Sequence, residues 1–345
     1  MTFSLEAVKS NWNEVVAKYQ KPDLKKSIWQ LLNTTVPFFV VWYLMYLSLD
    51  FSYWLTLALS PIAAGLLIRI FIFQHDCGHG AFFKSQKANN VVGFLCGVLT
   101  MVPYQYWRKS HAMHHAGASN LDRRGFGDVT TLTVREYLKL SKWGRLKYRL
   151  YRNPLILFVV GPTFYFLVLN RFPSAASKQW IRERRSVYWT NLALLALVLL
   201  LGFTIGFREL VMIHLPIEVF AATAGTWLFY IQHQFEDTYW EHNDEWEYVM
   251  AALQGSSFYR LPKVLQWFTG NIGYHHIHHL SSRIPNYNLQ KCYEENPVFH
   301  QSETLTFWQS LKCIPLKLWD EEQRKLVGYR HLKTLRQPVA RRLNA

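Results

Sequence analysis

The sequence predicts an all-α integral membrane protein: four transmembrane helices, re-entrant or interfacial segments between them, and a histidine-rich helical cap on the cytoplasmic side. Three observations lead there. Half of the 345 residues are apolar, and they collect into uncharged runs close to the ~20 residues that a bilayer requires. The formal charge of +15 sits mainly between those runs, as expected of the Lys and Arg excess that holds loops inside. Most of the 14 histidines fall in three short clusters.

Residues 1–26 are polar and mixed in charge, without the apolar core and cleavage site of a signal peptide, and read as a cytoplasmic N-terminal segment. Lys25 and Lys26 precede the first span, 27–49, so its start is placed inside. Asp50 marks a short outer turn, and the second span, 51–73, passes Arg69 and returns. Residues 91–102 are apolar but too short to cross, and read as re-entrant or interfacial. The basic stretch 120–152 suits a surface lying on lipid headgroups. Residues 153–170 are uncharged but broken by Gly161-Pro162. The last spans are 186–207 and 210–231, the latter interrupted by Glu218, and 232–345 forms a cytoplasmic C-terminal part. No linker divides 1–345, which reads as a single domain.

Parity decides how 153–170 behaves. If it crossed along with both later spans, the last histidine cluster would face the opposite side from the first two. The loop at 171–187 carries Arg171, Lys178, Arg182, Arg184 and Arg185 against Glu183, which places it inside. Residues 153–170 are therefore expected to dip in and return. Both termini and all three clusters then share the cytoplasmic face.

Several classes drop out. With multiple spans present, the positive charge reads as loop orientation and contact with anionic lipid rather than nucleic-acid binding. Cys77, Cys96, Cys292 and Cys313 show no CxxC spacing and read as reduced, structural residues.

The clusters are His75-Asp76-Cys77-Gly78-His79, His111-Ala112-Met113-His114-His115 and His275-His276-Ile277-His278-His279. On a helix, positions i, i+3 and i+4 share a face, so each cluster is expected to present a fan of ring nitrogens from one rigid element. Neutral imidazole is a good ligand for iron, zinc, copper or nickel. The eight histidines at those positions exceed the roughly four to six places around one metal, so two metals are expected. Transporters place ligands mid-bilayer on broken helices, whereas these lie at the inner surface, so a non-enzymatic metal transporter is the remote alternative.

The order HxxxH, HxxHH, HxxHH resembles the three histidine boxes of the membrane fatty acid desaturases and their hydroxylase relatives. The resemblance covers roughly residues 30–300. The flanks are similar to the omega-6, delta-12-type acyl-lipid branch: Gln74 before the first box, Asn120-Leu121-Asp122-Arg123-Arg124 after the second, and Gly270-Asn271-Ile272-Gly273-Tyr274 before the third. This resemblance implies a non-haem di-iron centre, with O2 as co-substrate. It also implies a further ligand just after the last span, matching His233. The implied ligands are then His75, His79, His111, His114, His115, His233, His275, His278 and His279. His276 is extra to the pattern and reads as a supporting or packing residue. Asp76, Glu236, Asp237 and Asn271 stand beside ligands and could orient them, with solvated surface or a helix-start role as the alternatives.

The implied reaction introduces a cis double bond into a lipid-linked acyl chain. The electrons come from outside, since no His-Pro-Gly-Gly haem signature is present. A ferredoxin or a b-type cytochrome with its reductase is the expected donor, docking on Arg123, Arg124 or the 139–152 stretch, unless these contact lipid instead. A fatty acyl or carotenoid hydroxylase or ketolase on the same centre is the alternative, because the boxes do not set the fate of the substrate radical. His214 and Glu218 read as a structural pair within the last span, and His242, His300 and His331 as surface residues.

Overall fold

A computed structural model describes residues 5–125, 127–174 and 176–333. The first helix, α1 (Leu5–Ala17), belongs to the folded body. Val15, Val16 and Tyr19 are buried against Leu280, Ile284 and Phe299, and Tyr19 donates to Glu295 at 2.7 Å. Its polar composition had concealed a narrow apolar stripe.

Four helices are long and apolar enough to cross a membrane: α2 (Leu24–Ser48), α3 (Tyr53–His79), α9 (Ile181–Ile205) and α10 (Phe207–His233). The Asp23 carboxylate caps α2 by accepting from the Lys26 amide. All four extend past the expected spans, α2 starting at Leu24 and α9 at Ile181. α3 continues through the first histidine cluster because nothing breaks it before Gly80, whose left-handed φ of 70° ends it. α10 likewise continues through His233. Their outer faces leave Trp29, Phe39, Trp54, Leu195 and Phe203 uncovered, as lipid-facing helices do.

Between the two span pairs, the chain stays at one end of the bundle. α4 (Gln86–Leu99) lies against α3 and α9, and α5 (Tyr104–Gly117) follows it. The strand β1 (Leu132–Thr133) leads into α6 (Val134–Lys139) through a Thr133–Glu136 capping box, and α7 (Lys142–Tyr151) follows. Residues Ile156–Val160 form a π-helical turn before α8 (Gly161–Leu167). Pro162 has no N–H and crowds the preceding carbonyls, so the backbone widens there. The run from Ile156 to Arg171 bends 61° away from α7. It returns to the end it left, because the first turns of α9 lie on α5, where the Gln105 amide donates to Ser186 Oγ at 3.0 Å. α3 and α10 therefore both run toward the histidine end.

The remaining elements build the cap. They are α11 (Tyr248–Leu253), β2 (Phe258–Arg260), α12 (Lys263–Phe268), α13 (His275–Leu280), α14 (Asn286–Glu295), β3 (Thr304–Thr306), α15 (Phe307–Leu311), β4 (Leu318–Asp320) and β5 (Lys325–Val327). β2 and β3 pair in parallel, and β1, β4 and β5 form a second small sheet. Arg69, buried in α3, fastens the cap to the span. Its Nε donates to Thr34 Oγ1 at 3.1 Å, its Nη1 donates to the Trp267 carbonyl, and the guanidinium lies 4.2 Å from the Trp267 ring. Within α10, His214 sits 3.4 Å from the buried Glu218, which is the expected pairing. All four cysteines are free and buried.

The turn before α13 approaches α3 closely at Gly270. Its φ is +52°, and an added Cβ would meet Ile72 Cγ2 at 2.8 Å. Gly270→Val is expected to lower stability by about 1–3 kcal/mol, read as a reduced melting temperature in detergent. An unchanged melting temperature would contradict this packing.

Candidate metal centre

Four helices carry nine histidines to one place, and their ring nitrogens divide into two sets. His75, His79, His111, His115 and His278 form the first, and His114, His233, His275 and His279 the second; within each set the ligand atoms lie within 4.8 Å of one another. In the first set, His115 Nε2 stands 3.1 Å from His111 Nε2 and 3.1 Å from His278 Nε2. In the second, His233 Nε2 stands 3.2 Å from His114 Nε2 and 3.0 Å from His275 Nε2. The sets adjoin: the His115 and His279 rings stack at 4.2 Å.

The histidine fans expected from the clusters divide between the two sets. On α5, His111 and His115 turn to the first set and His114 to the second. On α13, His275 and His279 turn to the second and His278 to the first. Helical geometry explains this: successive residues are ~100° apart, so adjacent histidines in an HxxHH cluster cannot aim at one point. A pair four apart serves one set, and the third histidine reaches the other.

Partners on the outer ring nitrogens turn Nε2 inward. His75 Nδ1 donates to Asp76 Oδ1 at 3.1 Å, His114 Nδ1 to Asp128 Oδ1 at 2.5 Å, and His233 Nδ1 to the Gly255 carbonyl at 3.1 Å. Asp76 is itself held, accepting from the Asn286 amide at 2.7 Å and from Asn286 Nδ2 at 2.9 Å. Asn286 and Gln30 exchange two further side-chain hydrogen bonds. The buried Nε2 atoms of His79 and His279 have no hydrogen-bond partner among the described residues, as suits nitrogens meant for a metal.

Burial, and then the neighbouring imidazoles, push His111, His115, His275, His278 and His279 well below the usual histidine range. These rings are neutral at physiological pH, which is the ligating form. Five and four imidazoles in adjoining sets fit two transition-metal ions of the kind nitrogen donors favour.

The other sequence-predicted residues separate cleanly. Asp76 orients His75. Asn271 touches no histidine ring; in left-handed conformation at φ 59°, it donates to the Asn286 carbonyl at 3.2 Å and so steadies the partner of Asp76. His276 is fully buried away from both sets, among Phe258, Tyr293 and Phe299. Glu236 and Asp237 do not orient imidazoles. They are exposed and face Lys325, at 3.8 and 3.1 Å. Arg124 is no free docking residue, because it forks onto Glu136 and donates to the Leu121 and Thr131 carbonyls. Arg123 Nε donates to Asn243 Oδ1 at 3.1 Å. Arg152 is buried, with its Nη1 and Nη2 donors on Thr130, Thr131, Gln234 and Leu316. The sequence reading overlooked Asp128 and Gly255. Asp128 lies far from any cluster along the chain, and its Gly127-Asp128 context reads as an ordinary turn. Gly255 contributes only a backbone carbonyl, which leaves no side-chain signal.

A family model described as fatty acid desaturase matches residues 52–310. The chain is 50% identical to a "Fatty acid desaturase" of Bacillus subtilis over 92% of this chain and 90% of that protein. It is 30% identical to an "sn-1 acyl-lipid omega-3 desaturase (ferredoxin)" of Nostoc, covering 71% of this chain and 70% of the relative. It is 26% identical to an "sn-1 oleoyl-lipid 12-desaturase" of Anabaena variabilis, covering 78% of each. The fold and the histidine sets thus define a membrane oxidoreductase with a candidate metal centre. The chain belongs to the fatty acid desaturase family.

Asp128→Asn is expected to weaken metal retention by roughly 10–100-fold, the usual cost of losing an outer partner of a ligating histidine. Equilibrium against a chelator measures it, and wild-type retention would remove Asp128 from this role. A pH effect follows from the depressed histidines. His276, for instance, is pushed down to about 3 by burial. The folded state then binds fewer protons than the unfolded state below the ordinary histidine value of about 6.5. Stability of the metal-free protein is full above that value and declines as pH falls below it. Melting temperatures between neutral and mildly acidic pH check this, and His276→Gln is expected to shallow the decline.

Proposed function

We propose that this protein is an O2-dependent acyl desaturase that introduces a cis double bond into a lipid-linked acyl chain with a non-haem di-iron centre. In this reading one iron is held by His75, His79, His111, His115 and His278, and the other by His114, His233, His275 and His279. The carrying observation is the partition of nine inward-facing histidines into two adjoining sets. Methylene C–H bonds do not yield to side-chain acid or base chemistry, and bound iron supplies the redox chemistry with O2 that they require. The balance is two hydrogens lost from adjacent methylenes, two electrons and two protons delivered from outside, and one O2 reduced to two waters.

The chain's own residues prepare the site. Asp76, Asp128 and the Gly255 carbonyl hold three imidazoles by Nδ1–H, so that ring rotation does not turn Nε2 away. Burial of α13 excludes bulk water from one side of the centre. Asp76, Asn271 and His276 act around the ligands, the first by orienting and the others by holding the frame.

The basic stretches 139–152 and 171–187 support a cytoplasmic face for the centre and both termini. Lys139, Lys142 and Lys147 stay exposed and are the basic groups available to an acidic electron donor, either a ferredoxin, as in the name of the Nostoc relative, or a b-type cytochrome with its reductase. The flanks of the histidine boxes favour the omega-6, delta-12 type, and the Anabaena relative carries a 12-desaturase name.

Lipid profiling in a host limited to monounsaturated acyl chains tests the proposal. A new double bond, located by mass spectrometry, is expected, and a new hydroxyl group would overturn desaturation. Purified protein is expected to hold about two irons per chain. His278→Ala is expected to abolish the product while membrane insertion persists, and surviving activity would refute the ligand set.

A further inference from the structure

A groove on the flank of the bundle has no role in the metal centre. It is lined by Phe94 of α4, Gln105 of α5, and Ile181, Arg182, Arg185, Ser186 and Trp189 of α9, and encloses about 650 Å³. Its lining is anchored: Tyr106 and Val187, next in the chain to Gln105 and Ser186, are buried in one cluster with Ala176, and Ser186 is tied to the Gln105 amide. Its walls are apolar and open, with Trp189 62% and Ile181 59% exposed.

The charges at its rim are one-sided. Arg182 and Arg185 stand three apart on α9, on one helical face. Both are exposed, and neither has a hydrogen bond or ion pair among the described residues. The neighbouring arginine behaves differently: Arg184 donates to the Pro173 and Ala176 carbonyls. Lys109, one turn beyond Gln105 on the same face of α5, brings its ammonium within 5.8 Å of the Trp180 ring, adjacent to the groove. Glu183, the one acid nearby in sequence, is turned ~100° from Arg182 around the helix. Two free guanidiniums with their planar forks match a phosphate.

Height along the bundle selects the kind of phosphate. Gln105 and His111 lie on the same helix, about 9 Å apart by helical rise. The arginines are thus at the histidine end of α9, where the span leaves the hydrocarbon. Trp189, Leu192 and Leu195 are exposed farther along α9, and Val91 and Leu95 are exposed on α4, which packs against it. Cationic groups above an aromatic and aliphatic strip complement an amphiphile, whereas a free anion would leave the strip unused.

We propose that this groove is a binding site for a phosphoglycerolipid, with the phosphodiester on Arg182 and Arg185 and one acyl chain along Phe94 and Trp189. The site does not depend on the metal assignment. The test titrates purified full-length protein in detergent with phosphatidylglycerol and with diacylglycerol of the same chains, by native mass spectrometry. Phosphatidylglycerol is expected to bind, diacylglycerol to be weaker, and excess inorganic phosphate not to displace the lipid. The R182Q/R185Q double variant is expected to lose roughly thirtyfold in affinity, about fivefold for each arginine at an anionic interface. R182K/R185K, which keeps the charge but loses the forks, is expected to fall between wild type and R182Q/R185Q, and Trp189→Ala to weaken binding with the arginines intact. Melting temperatures confirm that each variant is folded. Unchanged lipid affinity in a folded R182Q/R185Q variant would overturn the proposal. So would displacement by inorganic phosphate, which marks a bare anion site, or equal binding of diacylglycerol, which marks a bare apolar groove.

Discussion

Nine imidazoles converge in two adjoining sets, the ligand atoms of each within 4.8 Å of one another, at one end of a membrane bundle, and much of the architecture answers to that convergence. Burial and the neighbouring imidazoles push the rings of His111, His115, His275, His278 and His279 well below the usual histidine range. Elements distant in sequence must hold them rigid. α3 and α10 deliver His75, His79 and His233 from within the bundle. α5 and α13 lie across the end and divide their histidines between both sets. This arrangement requires α3 and α10 to run the same way, so the chain between them cannot finish on the far side. A widened turn lies before Pro162, and the run from Ile156 to Arg171 bends 61° from α7.

A polar frame around the rings supplies orientation. A buried carboxylate is costly unless its oxygens are bonded. Asp76 meets this condition through His75 and both donors of Asn286, and Gln30 and Asn271 hold Asn286 in turn. Residues of α2, α3, the turn before α13 and α14 are thereby linked into one network under the first histidine set. On the other flank, Asp128 and the Gly255 carbonyl do the same for the second set. The membrane-facing helices need no such frame, since their outer surfaces meet hydrocarbon.

Much of this was legible in the residues. Uncharged runs located the four long helices because a bilayer tolerates few alternatives. The spacing of His75/His79, His111/His114/His115 and His275/His278/His279 marked them as candidate metal ligands that share helical faces, and the structure brings them together. Other features were not legible. The division of each HxxHH cluster between two sets depends on which way a helix is rotated toward its neighbours, and α13 is rotated by the turn at Gly270-Asn271. Asp128 and Gly255 lie near histidines only after folding. Glu236 and Asp237 follow His233 closely in sequence, yet the chain leaves α10 there and carries them to Lys325. Arg124 had the look of free basic surface until Glu136 and two carbonyls were found to occupy its donors.

Residue type and spacing by themselves determined the solvent each segment requires and the chemistry its side chains offer: lipid-facing helices, and clusters of nitrogen ligands. These properties are local, set by transfer free energy and helical periodicity. The tertiary structure alone decided which histidines share a set, which acids bond to them, and which arginines are left without a hydrogen bond or ion pair among the described residues. Those outcomes depend on the rotation and contact of elements far apart in the chain, and short-range pattern does not encode them.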